Sequence, residues 1–290
     1  MRKTVLLAAT FALALAWAKP AAADAVTFDP TGGGGGFTIT SLDWLQGNTI
    51  VREGTCTSTT SCTAEILYQA NLDAAVNGNT PVFSNGDGGD FFTATAALTV
   101  TINPTTGSFT IDSGTINVYA TTAAADDLAG TGFTSGTLIL STSADSGGGG
   151  FTFFNFTPQD LDQFEDNDYP GVQTFEGAGG STVNSTITFV DNGYFPSLGT
   201  GAGFLFFINT SLVDPFRQID PANMFFDGSP GVPSVGAING TGSNIIAQAD
   251  ANSSFETPAP AVPEPASLVL LGSGLLASSL VRRRRSKKSN

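Results

Sequence analysis

Between Phe91 and Ile102 the chain alternates. Ala94, Ala96, Leu98, Val100 and Ile102 fall on one side, and threonines occupy the other. A period of two places successive side chains on opposite faces, so this segment predicts a half-buried strand. Asn103-Pro104-Thr105-Thr106-Gly107 supplies turn chemistry. Residues 108–119, broken by a Ser113-Gly114 step, predict the second arm of a hairpin. Shorter alternating runs predict strands at 37–40, 136–143, 151–157, 183–190, 204–209 and 244–251. The glycine run at 31–36 reads as a flexible entry, and residues 146–150 read as a linker between two strands. Residues 66–72 suit either a short helix or a buried strand, and we read them as strand. Strands at this spacing, with no long helix among them, predict an all-β domain built as an antiparallel β-sandwich. A β-solenoid is the alternative, although no fixed repeat period is found.

The two ends carry a different pattern. Arg2 and Lys3 precede an apolar run over 5–18, followed by Lys19, Pro20 and small residues. A charged start, a short apolar run and an A-x-A site predict a signal peptide over residues 1–25. Two cuts suit the small residues: after Ala21-Ala22-Ala23, or after Ala23-Asp24-Ala25. The run is too short to span a bilayer.

At the other end, residues 257–265 form a Pro/Ala-rich stalk closing on Pro263-Glu264-Pro265. Residues 266–281 predict a hydrophobic helix interrupted by Gly272 and Gly274. Arg282, Arg283, Arg284 and Arg285 open a basic tail over 282–290. A basic cluster behind an apolar segment stops in a membrane with the charges on the cytoplasmic side. The segment is near the lower length limit for a span, which suits a temporary hold; a permanent tail anchor is the alternative. The three parts in this order resemble the PEP-CTERM sorting signal. The resemblance implies recognition by an exosortase-type membrane protease cutting near Pro263-Glu264-Pro265. It also implies transient membrane anchoring before processing, a Gram-negative host that makes extracellular polysaccharide, and a mature form at the cell surface or in the extracellular matrix.

Charge changes the picture once these ends are set aside. Of 11 basic residues only Arg52 and Arg217 lie within residues 26–262, and of 25 acidic residues only Asp24 and Glu264 lie outside, so this region carries about −21. It holds no lysine and no histidine. Nucleic acid is excluded as a partner, because phosphate contacts need Lys and Arg. Anionic polymers are repelled unless divalent cations bridge them. With 23 phenylalanines and 35 glycines in the chain, the composition supports a packed β-domain over 26–256 rather than disorder.

Candidate chemistry is sparse. Cys56 and Cys62 enclose five residues, and an even count in an exported chain predicts a disulfide. A loop this short contributes only about 2 kcal/mol by chain entropy. Without His or Lys, no Ser-His-Asp or Ser-Lys centre can be built. A pair of carboxylates of the glycosidase kind needs only Asp and Glu, but acidic residues are too common here to single one out. The expectation is no enzyme and no cofactor other than calcium. Calcium wants six to eight hard oxygens, and two acidic clusters offer several: Asp87 and Asp90, and Asp160, Asp162, Asp166 and Asp168 with Glu165. Neither has the EF-hand spacing. Trp44 and Tyr68 are either core residues or exposed carbohydrate platforms.

A string of short motifs also resembles the flocculation-associated PEP-CTERM proteins. It comprises Phe28-Asp29-Pro30 before the glycines, Ser41-Leu42-Asp43-Trp44 leading to Gly47-Asn48, Leu67-Tyr68-Gln69-Ala70, and Gln248-Ala249-Asp250-Ala251-Asn252-Ser253-Ser254-Phe255. The resemblance implies a surface or matrix protein that promotes cell aggregation, floc or biofilm formation, with extracellular polysaccharide as partner. A lectin-like carbohydrate-binding module is the alternative, and a secreted polysaccharide hydrolase a further one.

Overall fold

A computed structural model describes residues 23–127, 129–154, 159–162, 168–174, 177–212, 224–228 and 244–256. The strands follow in chain order as β1 (Val26–Phe28), β2 (Phe37–Ile39), β3 (Ser41–Ser58), β4 (Ser61–Asn77), β5 (Thr80–Ser84), β6 (Phe91–Ile102) and β7 (Ser108–Thr121). Then come β8 (Thr137–Phe153), β9 (Gln159–Asp162), β10 (Asp168–Thr174), β11 (Gly177–Val190), β12 (Gly203–Leu212) and β13 (Asn244–Glu256). Only two single 3-10 turns, Asp87–Gly89 and Phe226–Gly228, accompany them among the described residues. The signal segment over 1–22, and the stalk, hydrophobic helix and basic tail beyond 256, lie outside the described residues.

The strands do not form a sandwich or a solenoid. β3, β4, β6, β7, β8, β11, β12 and β13 each pair antiparallel with the next, and β13 returns to pair with β3. This is a closed eight-stranded up-and-down barrel. β5 adds to β4, while β1–β2 and β9–β10 are separate hairpins. The sequence pattern could not separate these architectures, because a sandwich and a barrel share the same in-out alternation. Closure depends on the Asn244–Arg52 to Ser254–Ser41 register between the first and last barrel strands, which local periodicity does not encode. Closing the sheet removes its free edges.

Several readings change with it. β6 has the expected bounds, and its alanine, leucine and valine face is buried. Residues 66–72 are strand, in the middle of β4. The expected break at Ser113-Gly114 is a bulge, where Thr99 pairs Ser113 and Val100 pairs Ile111, leaving Asp112 as the extra residue. The expected linker over 146–150 is instead the interior of β8, paired to β11 on one side and β7 on the other. At Gly149 a Cβ would stand 2.1 Å from the Gly180 carbonyl oxygen, so only glycine allows the two strands to meet. The glycine run over 31–36 is an ordered turn. Asp29, 4% exposed, accepts from Thr31 N (2.9 Å), Thr31 Oγ1 (2.8 Å) and Gly35 N (2.6 Å).

Inward side chains fill the barrel unevenly. The end formed by the start of β3, the end of β4 and the end of β13 is plugged by aromatic rings. Phe28 of the β1–β2 hairpin lies 5.1 Å from Phe92, 5.2 Å from Phe195 and 6.0 Å from Phe83, mostly edge-to-face. Trp44, Tyr68, Phe204, Phe206 and Phe255 continue this core. The exposed strand positions are mainly threonine, serine, asparagine and aspartate, with Leu45, Phe189 and Phe207 among them.

Candidate functional site

The opposite end of the barrel is not filled. There the end of β3, the start of β4, the end of β6 and the starts of β7, β11 and β13 surround a cavity of about 290 Å³. Its wall combines bulky apolar groups (Ile66, Ile102, Phe109, Phe151, Ile208) with positions that carry little or no side chain (Ala64, Ala247, Ala249, Gly150, Gly179). An eight-stranded barrel is just wide enough for side chains to fill it or for one small ligand to be held. The plugged end takes the first course through phenylalanines. The alanines and glycines of this end leave room for the second.

The predicted disulfide forms part of this end. Cys56 and Cys62 are bonded and face each other across β3 and β4. Cys62 is 4% exposed and contributes to the cavity wall. The hairpin tip beyond the disulfide is tied to the next turn, where Thr105 Oγ1 donates to the Thr59 carbonyl at 3.2 Å.

Thr49 of β3 also lines the cavity. It is 7% exposed, and its hydroxyl has no hydrogen-bond partner in the protein. Its register partner on β4 is Tyr68, fully buried and likewise without a partner for its hydroxyl. Burial, followed by the charges of Asp250, Asp127 and Asp43, pushes the Tyr68 phenol well above its ordinary value. Buried polar groups are nearly always paired, so each of these orphan hydroxyls calls for a reason.

The aromatic pair singled out as possible sugar platforms is not available to sugar. Trp44 is 1% exposed and donates from Nε1 to Ser253 Oγ at 3.2 Å. Tyr68 packs edge-on against Phe206 at 5.7 Å. Both are core residues.

A second feature was missed in the sequence, a row of buried amides on the outer face. Gln248 of β13, Asn48 of β3 and Gln69 of β4 stand in register on adjacent strands, each 0% exposed. Asn48 Nδ2 donates to the Asp127 carbonyl at 3.1 Å. Gln69 Nε2 donates to the Met224 carbonyl at 3.0 Å, and its Oε1 accepts from Phe226 N at 2.9 Å. Asn71 pairs with Ala125 in both directions, at 3.0 and 2.8 Å. The amides thus act as extra peptide groups that fasten the segments at Ala125 and Asp127 and at Met224 to Phe226 over the barrel wall. Asp227 ties these two segments together, accepting from Gly132 N and from the amide and hydroxyl of Thr134 at 2.6 Å. Three of the flocculation-like motifs meet at this row. Their chemistry here is structural, closing the barrel and holding its outer loops.

The acidic clusters are placed differently from each other. Asp87 Oδ2 accepts from Ser84 N at 2.9 Å, so this carboxylate shapes the turn that also holds Asp90. Asp162 and Asp168 face each other at one end of the β9–β10 hairpin, and Asp160 pairs with Gln173. Asp166 lies outside the described residues. Among the described residues no three such donors converge on a metal-sized site. A separate group gathers where β13 meets β3 and β4. Asp43 is raised by burial and by Asp250 and Asp73, and Asp250 by burial and by Asp73.

Pro263, Glu264, Pro265 and the four arginines lie outside the described residues, so their sequence decides their meaning. Residues 261–285 match the PEP-CTERM protein-sorting motif. The chain carries an exosortase sorting signal. A PEP-CTERM protein is exported, anchored at the membrane before processing, and processed by an exosortase, a membrane protease. No curated protein and no solved structure matches the chain.

Proposed function

We propose that the processed barrel works outside the cell as a non-enzymatic matrix protein that promotes cell aggregation, floc or biofilm formation. The observation that carries this reading is the sorting motif at 261–285 behind a strongly acidic barrel domain. The motif brings the protein to the outside. The acidic surface then sets the mode of contact: with few cations of its own, the barrel meets anionic polysaccharide through divalent cations. Arg52, a cation of the mature region, is paired to Glu65 at 2.8 Å, which leaves the surface still more one-sided. Asp87, Asp90, Asp160, Asp162, Asp166 and Asp168 are the carboxylates we assign to calcium or magnesium contacts. The lectin reading rested on Trp44 and Tyr68 and lapses with their burial.

The test is the intact mass and location of the protein in cells with and without an active exosortase, together with the phenotype of a deletion. We expect an extracellular product lacking residues 266–290, and dispersal of aggregates on deletion while polysaccharide is still made. A product that keeps Arg282–Arg285 in the inner membrane of exosortase-competent cells, or a deletion that leaves aggregation intact, overturns the proposal.

A further inference from the structure

The cavity at the disulfide end has the character of a ligand site. Its volume of about 290 Å³ corresponds to roughly ten groups of methylene or water size, at about 30 Å³ each. Two observations separate it from a packing fault. Its space is built into the strands: small residues on β4, β8, β11 and β13 coincide at one level of the barrel, while the other end of the same barrel is packed with phenylalanine. In addition, a residue of the wall carries a polar group with nothing in the protein to bind. Thr49 is more than nine-tenths buried, and its Oγ1, closed off from the cavity in this structure, has no partner.

The chemistry of the wall selects the ligand. Ile66, Ile102, Phe109, Phe151 and Ile208 favour a hydrocarbon body. Among the described residues no cationic side chain lines the cavity, so a carboxylate or phosphate head held inside it would lack a counter-charge. We propose that the barrel binds one small uncharged molecule, mainly apolar and carrying a single hydroxyl or carbonyl group, on the scale of a ten-carbon alcohol. The hydrocarbon lies against the isoleucines and phenylalanines, and the polar group meets the Thr49 hydroxyl once rotation about χ1 turns that hydroxyl from its closed position toward the cavity. This site is independent of sorting and of aggregation.

The test uses the exported protein recovered with its disulfide intact. N-phenyl-1-naphthylamine is titrated in as an uncharged fluorescent probe, then displaced with 1-decanol or decanoate at pH 7. We expect one probe per chain, displacement by 1-decanol in the micromolar range, and decanoate at least tenfold weaker. Ala64→Phe fills the cavity and removes probe binding. Thr49→Val keeps probe binding but weakens 1-decanol about three- to tenfold, the loss of one hydrogen bond. It leaves the melting temperature of the ligand-free protein level or higher, because the hydroxyl it removes bonds to nothing in the protein. If Ala64→Phe does not fold, Thr49→Val decides alone. The proposal is overturned if the folded wild-type protein shows no saturable binding of either neutral compound, if decanoate binds as well as 1-decanol, or if Thr49→Val binds 1-decanol unchanged.

Discussion

Asp127 shows how a single carboxylate is placed against its own charge. It belongs to the loop that Asn48 and Asn71 hold to the barrel, where its Oδ2 accepts from Asn71 Nδ2 at 3.3 Å and its Oδ1 has no partner. Its carboxyl is raised to about 6 in all, chiefly by burial. The Asn71 hydrogen bond pulls it down, and the charge of Asp126 pushes it further up. In the unfolded chain the same group titrates near its ordinary value of 3.8. Between these values the folded state holds the proton that the unfolded state releases. The contribution to stability is therefore complete below about pH 4 and lost as pH rises through about 6. At pH 7 the ionised carboxylate costs the fold roughly 3 kcal/mol relative to its protonated form. Asp127→Asn keeps the size and an acceptor for Asn71 but cannot ionise. Urea unfolding at pH 4.5 and pH 7 should show the variant more stable than wild type at pH 7 and close to it at pH 4.5. An unchanged difference between the two pH values would remove Asp127 as the cause.

The strand β8 marks the limit of what local sequence could tell. Its first half alternates and was legible, but Ser146 to Gly150 has the composition of a linker. Only the neighbours explain it: β7 and β11 approach so closely that a Cβ at Gly149 would meet the Gly180 carbonyl at 2.1 Å and the Phe109 ring at 2.8 Å. Gly149→Val should therefore destabilise the barrel by about 2 kcal/mol or more, the range of core overpacking. A flexible linker would absorb the change within about 0.5 kcal/mol. Denaturant midpoints of the two proteins distinguish these outcomes. The same limit hid the candidate cavity, because its space comes from glycines and alanines on different strands, and no single run announces that they share a level. The outer amides were hidden for a related reason. Asn48, Gln69 and Gln248 sit at polar, outward positions where alternation predicts exposure, and their burial is set by loops distant in sequence. By contrast β6, the 103–107 turn and the Cys56–Cys62 pair were legible, since each is fixed by its own residues.

At the scale of the whole molecule, charge and closure pull against each other. Closing the barrel brings β13 against β3, and with them Asp250 against Asp43 and Asp73. Burial and mutual repulsion raise Asp43 and Asp250, as burial raises Asp127. Each raised carboxyl makes stability fall as pH rises. Asp29 works in the other direction. Its burial would raise it, but the hydrogen bonds from Thr31, Gly35 and Gly34 outweigh burial and lower it. Its contribution is present above its ordinary value of 3.8 and is lost as pH falls further. The two trends leave a maximum of stability on the mildly acidic side, above pH 4 and below pH 7. The repulsive part is also open to screening, since the Debye length falls from about 30 Å at 0.01 M salt to about 8 Å at 0.15 M. Raising sodium chloride across that range should raise the melting temperature at pH 7 and change it less at pH 5, where the buried Asp127 is already protonated. Calcium chloride at matched ionic strength separates screening from binding. A larger rise with calcium supports the divalent-bridge reading of the acidic surface. Equal rises show that the barrel responds to ions only through screening, and that aggregation would have to draw on some other contact.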